Sequence, residues 1–232
     1  MEESQLSPGS ANDGYAAQAD AWMVLGNGRR FNFLDPRPED IEIYDIVRGL
    51  SKLCRYCGQC RGFFSVAQHS VLVAKCVPAR FKLEALLHDS AEAYLGDIIQ
   101  PVKRFLPEFR RMEQHVWRAI AAAFNLPEQM SPEVKEADRR MMVTEKRCLF
   151  PDHTPEWQLE KQGIVPYPGL KFTGLHHDAA REGFMIAFQT YVRLHRAFLD
   201  QRVDRCEDCG ELSVEPESGV CFSQVCLPYD KR

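Results

Sequence analysis

The chain has 232 residues, 45% of them hydrophobic and 27% charged, which is enough apolar surface for a folded core and argues against disorder as the main state. Its 29 Lys and Arg against 33 Asp and Glu give a net charge of −4, so a whole-protein electrostatic grip on nucleic acid is not indicated. No apolar run approaches the length needed to cross a bilayer as a helix.

Residues 1–20 are polar, acidic and rich in Ser, Gly and Ala. They read as a disordered leader and as neither a secretory nor a transit signal, so a cytoplasmic location is expected (the host cytoplasm if the source is viral). Trp22 to Phe33 form two short extended runs around Gly26-Asn27-Gly28, a good hairpin turn. Asp35 to Asp40 is a loop whose acids open a helix. That helix carries Ile43, Ile46, Val47, Leu50 and Leu53 at helical spacing. Residues 54–65 are a loop with three cysteines and two arginines. Ser65 is placed to cap a second helix bearing Val66, His69, Leu72, Val73 and Cys76 on one face, and Pro78 ends it. Phe81, Ala85, Leu86, Asp89 and Ala93 continue a helical pattern to Gly96, followed by a loop around Pro101. Pro107 to Phe124 is an amphipathic helix. Ser131-Pro132 opens another, with Pro in its first turn, running to about Cys148 through Val134, Asp138, Met141 and Met142. Residues 150–175 read as an irregular excursion, and Asp178 to about Arg202 as a last long helix.

The expected fold is therefore mostly α, with strand signal confined to the N-terminal hairpin and no strand–helix alternation that would favour a doubly wound sheet. The expected organisation is a leader at 1–20, a helical domain at 21–203 and a Cys-rich tail at 204–232.

The informative segment is Leu86-Leu87-His88-Asp89-Ser90-Ala91-Glu92. Its flanks are apolar, so the segment is buried, and burying His, Asp and Glu together is costly unless something pairs with them. A divalent cation does so: imidazole nitrogen and carboxylate oxygen suit Zn, Mn, Fe or Co. Two adjacent ligands cannot hold an ion alone, and other helices must supply more. His69 lies on the apolar face of the preceding helix, and Asp138 lies among apolar residues of a later one. A lone His on an apolar face is more often a satisfied core residue, and a lone Asp a surface acid. The four in this order, followed by Glu92 and Asp97, point to a metal site.

His69, the doublet His88-Asp89, and Asp138 resemble the H…HD…D signature of the HD-domain phosphohydrolases. The run from His88 to Ile98, with Pro101-Val102-Lys103, resembles bacterial 5'-deoxynucleotidases of that superfamily. Ser65 to Val73 and Pro36 to Ile41 resemble a phage branch that includes dATP triphosphohydrolases. The resemblance covers roughly residues 23–147. It implies an HD-domain helical bundle in which His69, His88, Asp89 and Asp138 hold a divalent metal (Zn, Co, Mn or Mg). That ion would lower the pKa of water and neutralise charge on a phosphoryl oxygen. It implies Glu92 as the group that activates water, the alternative being a carboxylate that orients His88 or His69. It implies Asp97 at the sugar 3'-hydroxyl or in proton transfer, the alternative being a turn role after Gly96. Arg55 is implied as a phosphate contact and Tyr56 as a sugar or base contact able to exclude a 2'-hydroxyl. Lys103 and Arg61 are further phosphate candidates, although exposed arginines such as Arg61 are common.

The implied activity is hydrolysis of 2'-deoxynucleotides, favouring dATP or other dNTPs to deoxynucleoside plus triphosphate, with added divalent ions on the triphosphate. A 5'-deoxynucleotidase acting on dNMPs is the alternative. The rival from another class is a non-catalytic nucleic-acid-binding or partner-binding HD protein. The implied assembly is a homo-oligomer; neither membrane nor nucleic acid is expected as a partner. Nine cysteines in a reducing compartment suggest metal binding or reactive thiols rather than disulfides. Cys206, Cys209, Cys221 and Cys226 form a candidate structural zinc site, since a C-x2-C turn aims both sulfurs at one ion; a loose tail with spare thiols is the alternative. Cys54, Cys57 and Cys60 lack a nearby fourth thiol, and Cys76 and Cys148 read as small core residues.

Overall fold

The computed structural model describes residues 21–200, 203–205 and 212–214. The expected leader and the four tail cysteines lie outside those residues. As expected, the fold is mostly α-helical with a small antiparallel hairpin at its N-terminal end. In that hairpin β1 (Trp22–Val24) pairs with β2 (Arg30–Asn32), Met23 opposite Phe31. Gly28 makes the turn at φ 84°, open to glycine at no steric cost. Phe31 is fully buried and stacks on Tyr94 at 4.1 Å between centroids. The Asn27 amide donates to buried Asp45 at 3.0 Å. These two contacts fix the hairpin on the helical body.

The first helix, α1 (Ile43–Lys52), starts later than the acids imply. Pro38–Asp40 forms a separate 3-10 turn, and Ile41 after it is extended (φ −87°, ψ 119°). Next, α2 (Val66–Lys75) is capped by Ser65, whose hydroxyl accepts the Gln68 N–H at 3.2 Å. Val66 through Ala74 are all buried, and α2 packs against α1 and three later helices: α3 (Lys82–Leu87), α7 (Pro132–Leu149) and α9 (His177–Leu199). A helix covered on every side is the centre of a core. Its polar residues must then find partners inside the protein. Gln68 does so by donating to Thr173 O at 2.7 Å and accepting the Leu175 N–H at 2.9 Å. That amide pins the end of the irregular 150–175 excursion, which holds one short helix, α8 (Gln158–Lys161).

The helix expected to run through to Gly96 is broken. The α-pattern stops at Leu87, residues 88–91 tighten into i→i+3 bonds (Ser90 to Leu87, Glu92 to Asp89), and α4 (Glu92–Leu95) follows. Asp and Ser compete for local backbone bonds and are poor helix-interior residues, which suits this position. The expected loop at Pro101 contains α5 (Gln100–Lys103), and α6 (Pro107–Phe124) keeps its expected bounds, ending on Asn125 in the left-handed region. A second antiparallel pair, β3 (Val203–Arg205) with β4 (Leu212–Val214), lies in the segment read as an irregular tail, so strands are not confined to the N-terminal hairpin.

Close approach of α1 to α4 rests on Gly49, where a Cβ would sit 2.8 Å from the Ala93 carbonyl oxygen. Gly49→Ala should gain up to about 1 kcal/mol of helix propensity. It should lose about 1–3 kcal/mol to the clash. A net drop in urea or thermal stability is expected, and an unchanged or raised midpoint would contradict this packing.

Candidate metal centre

Three elements bring two imidazoles and two carboxylates together. His69 projects from the buried centre of α2, His88 and Asp89 from the tightened turn after α3, and Asp138 from the second turn of α7. His69 Nε2 and His88 Nε2 are 3.3 Å apart. Asp138 Oδ1 lies 3.2 Å from the first and 3.8 Å from the second. Asp89 Oδ2 lies 3.5 and 3.2 Å from them. Ligands about 2.1 Å from a common ion are separated by roughly 3.0–3.4 Å in cis-octahedral or tetrahedral arrangement; the 3.2 and 3.3 Å edges match that size, and the 3.5 and 3.8 Å edges are longer. Ligand atoms of His69, His88 and Asp138 all fall within 4.8 Å of one another.

The unligated side of each ring is already engaged. His88 Nδ1 meets the Ala85 carbonyl at 2.8 Å, and His69 Nδ1 meets Glu145 Oε1 at 2.5 Å. An Nδ1–H donated there directs each Nε2 lone pair into the cluster, the tautomer a metal requires. Two facing lone pairs at 3.3 Å cannot satisfy each other, and a shared proton or a cation resolves them. The donor set thus fits a borderline divalent ion held by nitrogen and oxygen.

Glu145 is the site residue that sequence reading missed. It is fully buried, and it accepts from His69, from Arg55 Nε at 3.3 Å and from the Tyr56 hydroxyl. Its signal was its spacing: seven residues, close to two turns, after Asp138 on the same helix. The Arg55 guanidinium spans Glu145 and Asp89, with Nη1 3.4 Å from Asp89 Oδ2. Tyr56, at φ 56°, packs edge-on to Phe150 at 5.2 Å and directs its hydroxyl to Glu145. Both side chains predicted to meet substrate are therefore bound into the support of His69.

Glu92 is buried beside the cluster. Its Oε1 is 3.5 Å from Lys103 Nζ, and its Oε2 has no hydrogen-bond partner among the described residues. Burial first, then the Asp89 and Asp97 charges, push its carboxyl well above the usual range. Asp97 is half-buried, and its carboxyl is raised by burial more than Arg55 lowers it. Lys103 is buried as well, and its ammonium bonds Glu113 at 2.7 Å. Arg61 is exposed; its backbone N–H donates to Leu149 O, and its side chain forms no ion pair among the described residues. Cys54, Cys57, Cys60, Cys76 and Cys148 are free thiols, Cys60 buried, Cys57 exposed and the others half-buried. His176, His177 and Asp178 also converge, but at the exposed start of α9, where Arg181 holds Asp178 at 3.2 Å.

The chain is 44% identical over 131 residues to the uncharacterized protein YfdR of Escherichia coli K12, a match covering 56% of this chain and 74% of that protein. This chain belongs to the YfdR family. It is also 40% identical over 127 residues to an uncharacterized protein of Rhodobacter capsulatus, covering 50% of this chain and 65% of that one. No family model matches the sequence. Membership of the YfdR family carries no stated activity with it, so the chemistry has to be argued from the site.

Two predictions follow from the ring environments. Burial opposes charge on both imidazoles. Asp89 and Asp138 outweigh it at His88, and Glu145 and Asp138 outweigh burial and Arg55 at His69, so both rings hold a proton more firmly than free histidine. A cation must displace those protons. Apparent affinity for Co or Zn should therefore fall as pH is lowered from about 8 to about 6 in titrations; a flat profile would contradict the arrangement. Glu145→Gln should weaken metal binding about 10–100-fold by the same titration, although residue 145 touches no ion.

Proposed function

We propose that this chain is a divalent-metal-dependent phosphohydrolase of 2'-deoxynucleotides, built on the HD-domain pattern that its sequence resembles. The observation that carries the reading is the convergence of His69, His88, Asp89 and Asp138 with both Nδ1 atoms already engaged. Those four side chains would hold the ion, which supplies Lewis acidity toward a phosphoryl oxygen and toward water.

The remaining work falls to the chain. Glu92 has the features of a general acid–base: burial, an Oε2 without a partner among the described residues, and a carboxyl that burial and the Asp89 and Asp97 charges hold well above the usual range. Lys103 holds its other oxygen and limits where the carboxylate can swing. Asp97, half-buried on the same side, offers a second carboxyl for a sugar hydroxyl or a proton. Arg55 brings a guanidinium to the edge of the cluster through Asp89, where it favours an anionic substrate.

By resemblance the leading substrates are dATP and other dNTPs, cleaved to deoxynucleoside and triphosphate. One observation favours dNMPs as a second reading. Arg55 and Lys103 each already face two carboxylates, so little positive charge remains for a triphosphate unless further divalent ions accompany it.

Incubation with the four dNTPs and four dNMPs under Co, Mn, Zn and Mg tests the reading. Release of triphosphate supports the first substrate class, and release of phosphate from dNMPs the second. No release with any cation would favour the non-catalytic rival. His88→Ala and Asp89→Ala should lose both metal and turnover. Glu92→Ala should keep metal and lose turnover by at least about 100-fold; wild-type activity in that variant would dismiss its role.

A further inference from the structure

Glu84 is a buried carboxylate outside the metal cluster, 4% exposed. It stands on α3 one turn before His88. Its Oε1 accepts the backbone N–H of Ser131 at 2.5 Å and its Oε2 accepts the Ser131 hydroxyl at 2.7 Å. Both oxygens are thus engaged by one residue, 47 positions away in the chain. Ser131 is the N-cap of α7, yet its side chain makes no capping bond within its own helix; the hydroxyl is donated to Glu84 instead. A carboxylate buried at that helix start also meets the positive end of the α7 dipole.

The placement of this contact matters more than its strength. Asp138 lies seven residues after Ser131, about 10 Å along the helix. His88 lies four residues after Glu84, about 6 Å along. The chain running from α3 into the turn after it therefore meets α7 twice, once at Glu84–Ser131 and once where Asp138 Oδ1 approaches His88 Nε2 at 3.8 Å. A helix held at its start can neither slide nor turn without carrying Asp138 away from the two imidazoles. Val134, Ala137 and Met141 pack the core face of α7 around Asp138, chiefly against α2, and the Glu84–Ser131 contact adds a polar hold at the helix start on the side of α3.

We propose that Glu84 is a positioning residue for the metal centre: through Ser131 it sets the register of α7 against α3 and so delivers Asp138 to the ion. This rests on the metal-centre reading above. It concerns a residue that touches neither ion nor substrate, and it predicts coupling between positions 84 and 138 rather than a general loss of stability.

A double-mutant cycle on the full chain tests it, read by Co titration with thermal melting alongside. Glu84→Ala should weaken Co binding about 10–100-fold. Asp138→Asn should then cost much less in the Glu84→Ala background than in the wild type, because its ligand is already misplaced. Glu84→Gln keeps an acceptor for the Ser131 N–H and should recover most of the affinity. Ile120→Ala, a core truncation in α6, should lower the melting temperature with Co binding unchanged. Additive losses at 84 and 138, or a Glu84→Ala protein that binds Co like the wild type, would overturn the proposal while leaving the metal centre standing. A wild type that takes up no Co would remove both. Should Glu84→Ala fail to fold, Ser131→Ala removes one of the two bonds; it should show a smaller loss that is again non-additive with Asp138→Asn, and an unaltered affinity there would equally overturn the proposal.

Discussion

His69 stands in the middle of a helix with no face toward solvent, and a buried imidazole must have both nitrogens answered. Glu145 answers one of them. Because that carboxylate is itself fully buried, it needs cations and donors of its own, and Arg55 and Tyr56 provide them. Breaking such a buried pair costs several kcal/mol, about 3–5, because the survivor is left charged and dry. The loop segment that carries Arg55 and Tyr56, α2 and α7 are therefore joined through one carboxylate, and the second nitrogen of His69 is left facing His88. The cluster follows from that one hydrogen bond.

Much of this was legible in the sequence. Hydrophobic spacing and the Pro and Ser signals located α2, α6, α7 and α9 within a few residues, because each buries an apolar stripe and begins at a recognisable residue. The quartet His69, His88, Asp89 and Asp138 was legible because its residue types and order are unusual among apolar flanks, and the fold does bring the four side chains together. Glu145 was not, since a Glu near the end of a helix rich in Lys and Arg looks like a solvated face, and only the fold shows that it is wholly enclosed. The break after Leu87 was hidden for a similar reason: Phe81 to Ala93 keeps a helical period across it.

Arg55, Tyr56 and Lys103 carry a different lesson. The family resemblance implied Arg55 at an incoming phosphate and Tyr56 at a sugar or base, with Lys103 a further phosphate candidate. In the structure each is already bonded to a carboxylate of the protein: Arg55 to Asp89 and Glu145, Tyr56 to Glu145, Lys103 to Glu92 and Glu113. A cation that neutralises its own surroundings tunes and orients as much as it binds. The charges around the His–Asp cluster are thus balanced locally, by carboxylates facing Arg55 and Lys103.

Helix α7 carries three polar contacts on one rod: its N-cap Ser131 bonds Glu84, its second turn presents Asp138, and its fourth presents Glu145. Each residue in a helix advances the angle by about 100°. Adding or removing one residue between 131 and 145 would swing one partner a quarter-turn or more away from the others. The length of this stretch is consequently a fixed ruler, and the irregular stretch after Leu149 is laced back onto the same rod, Glu160 to Lys146 and the Tyr167 N–H to Thr144 Oγ1 at 2.9 Å, before it reaches its anchor on Gln68.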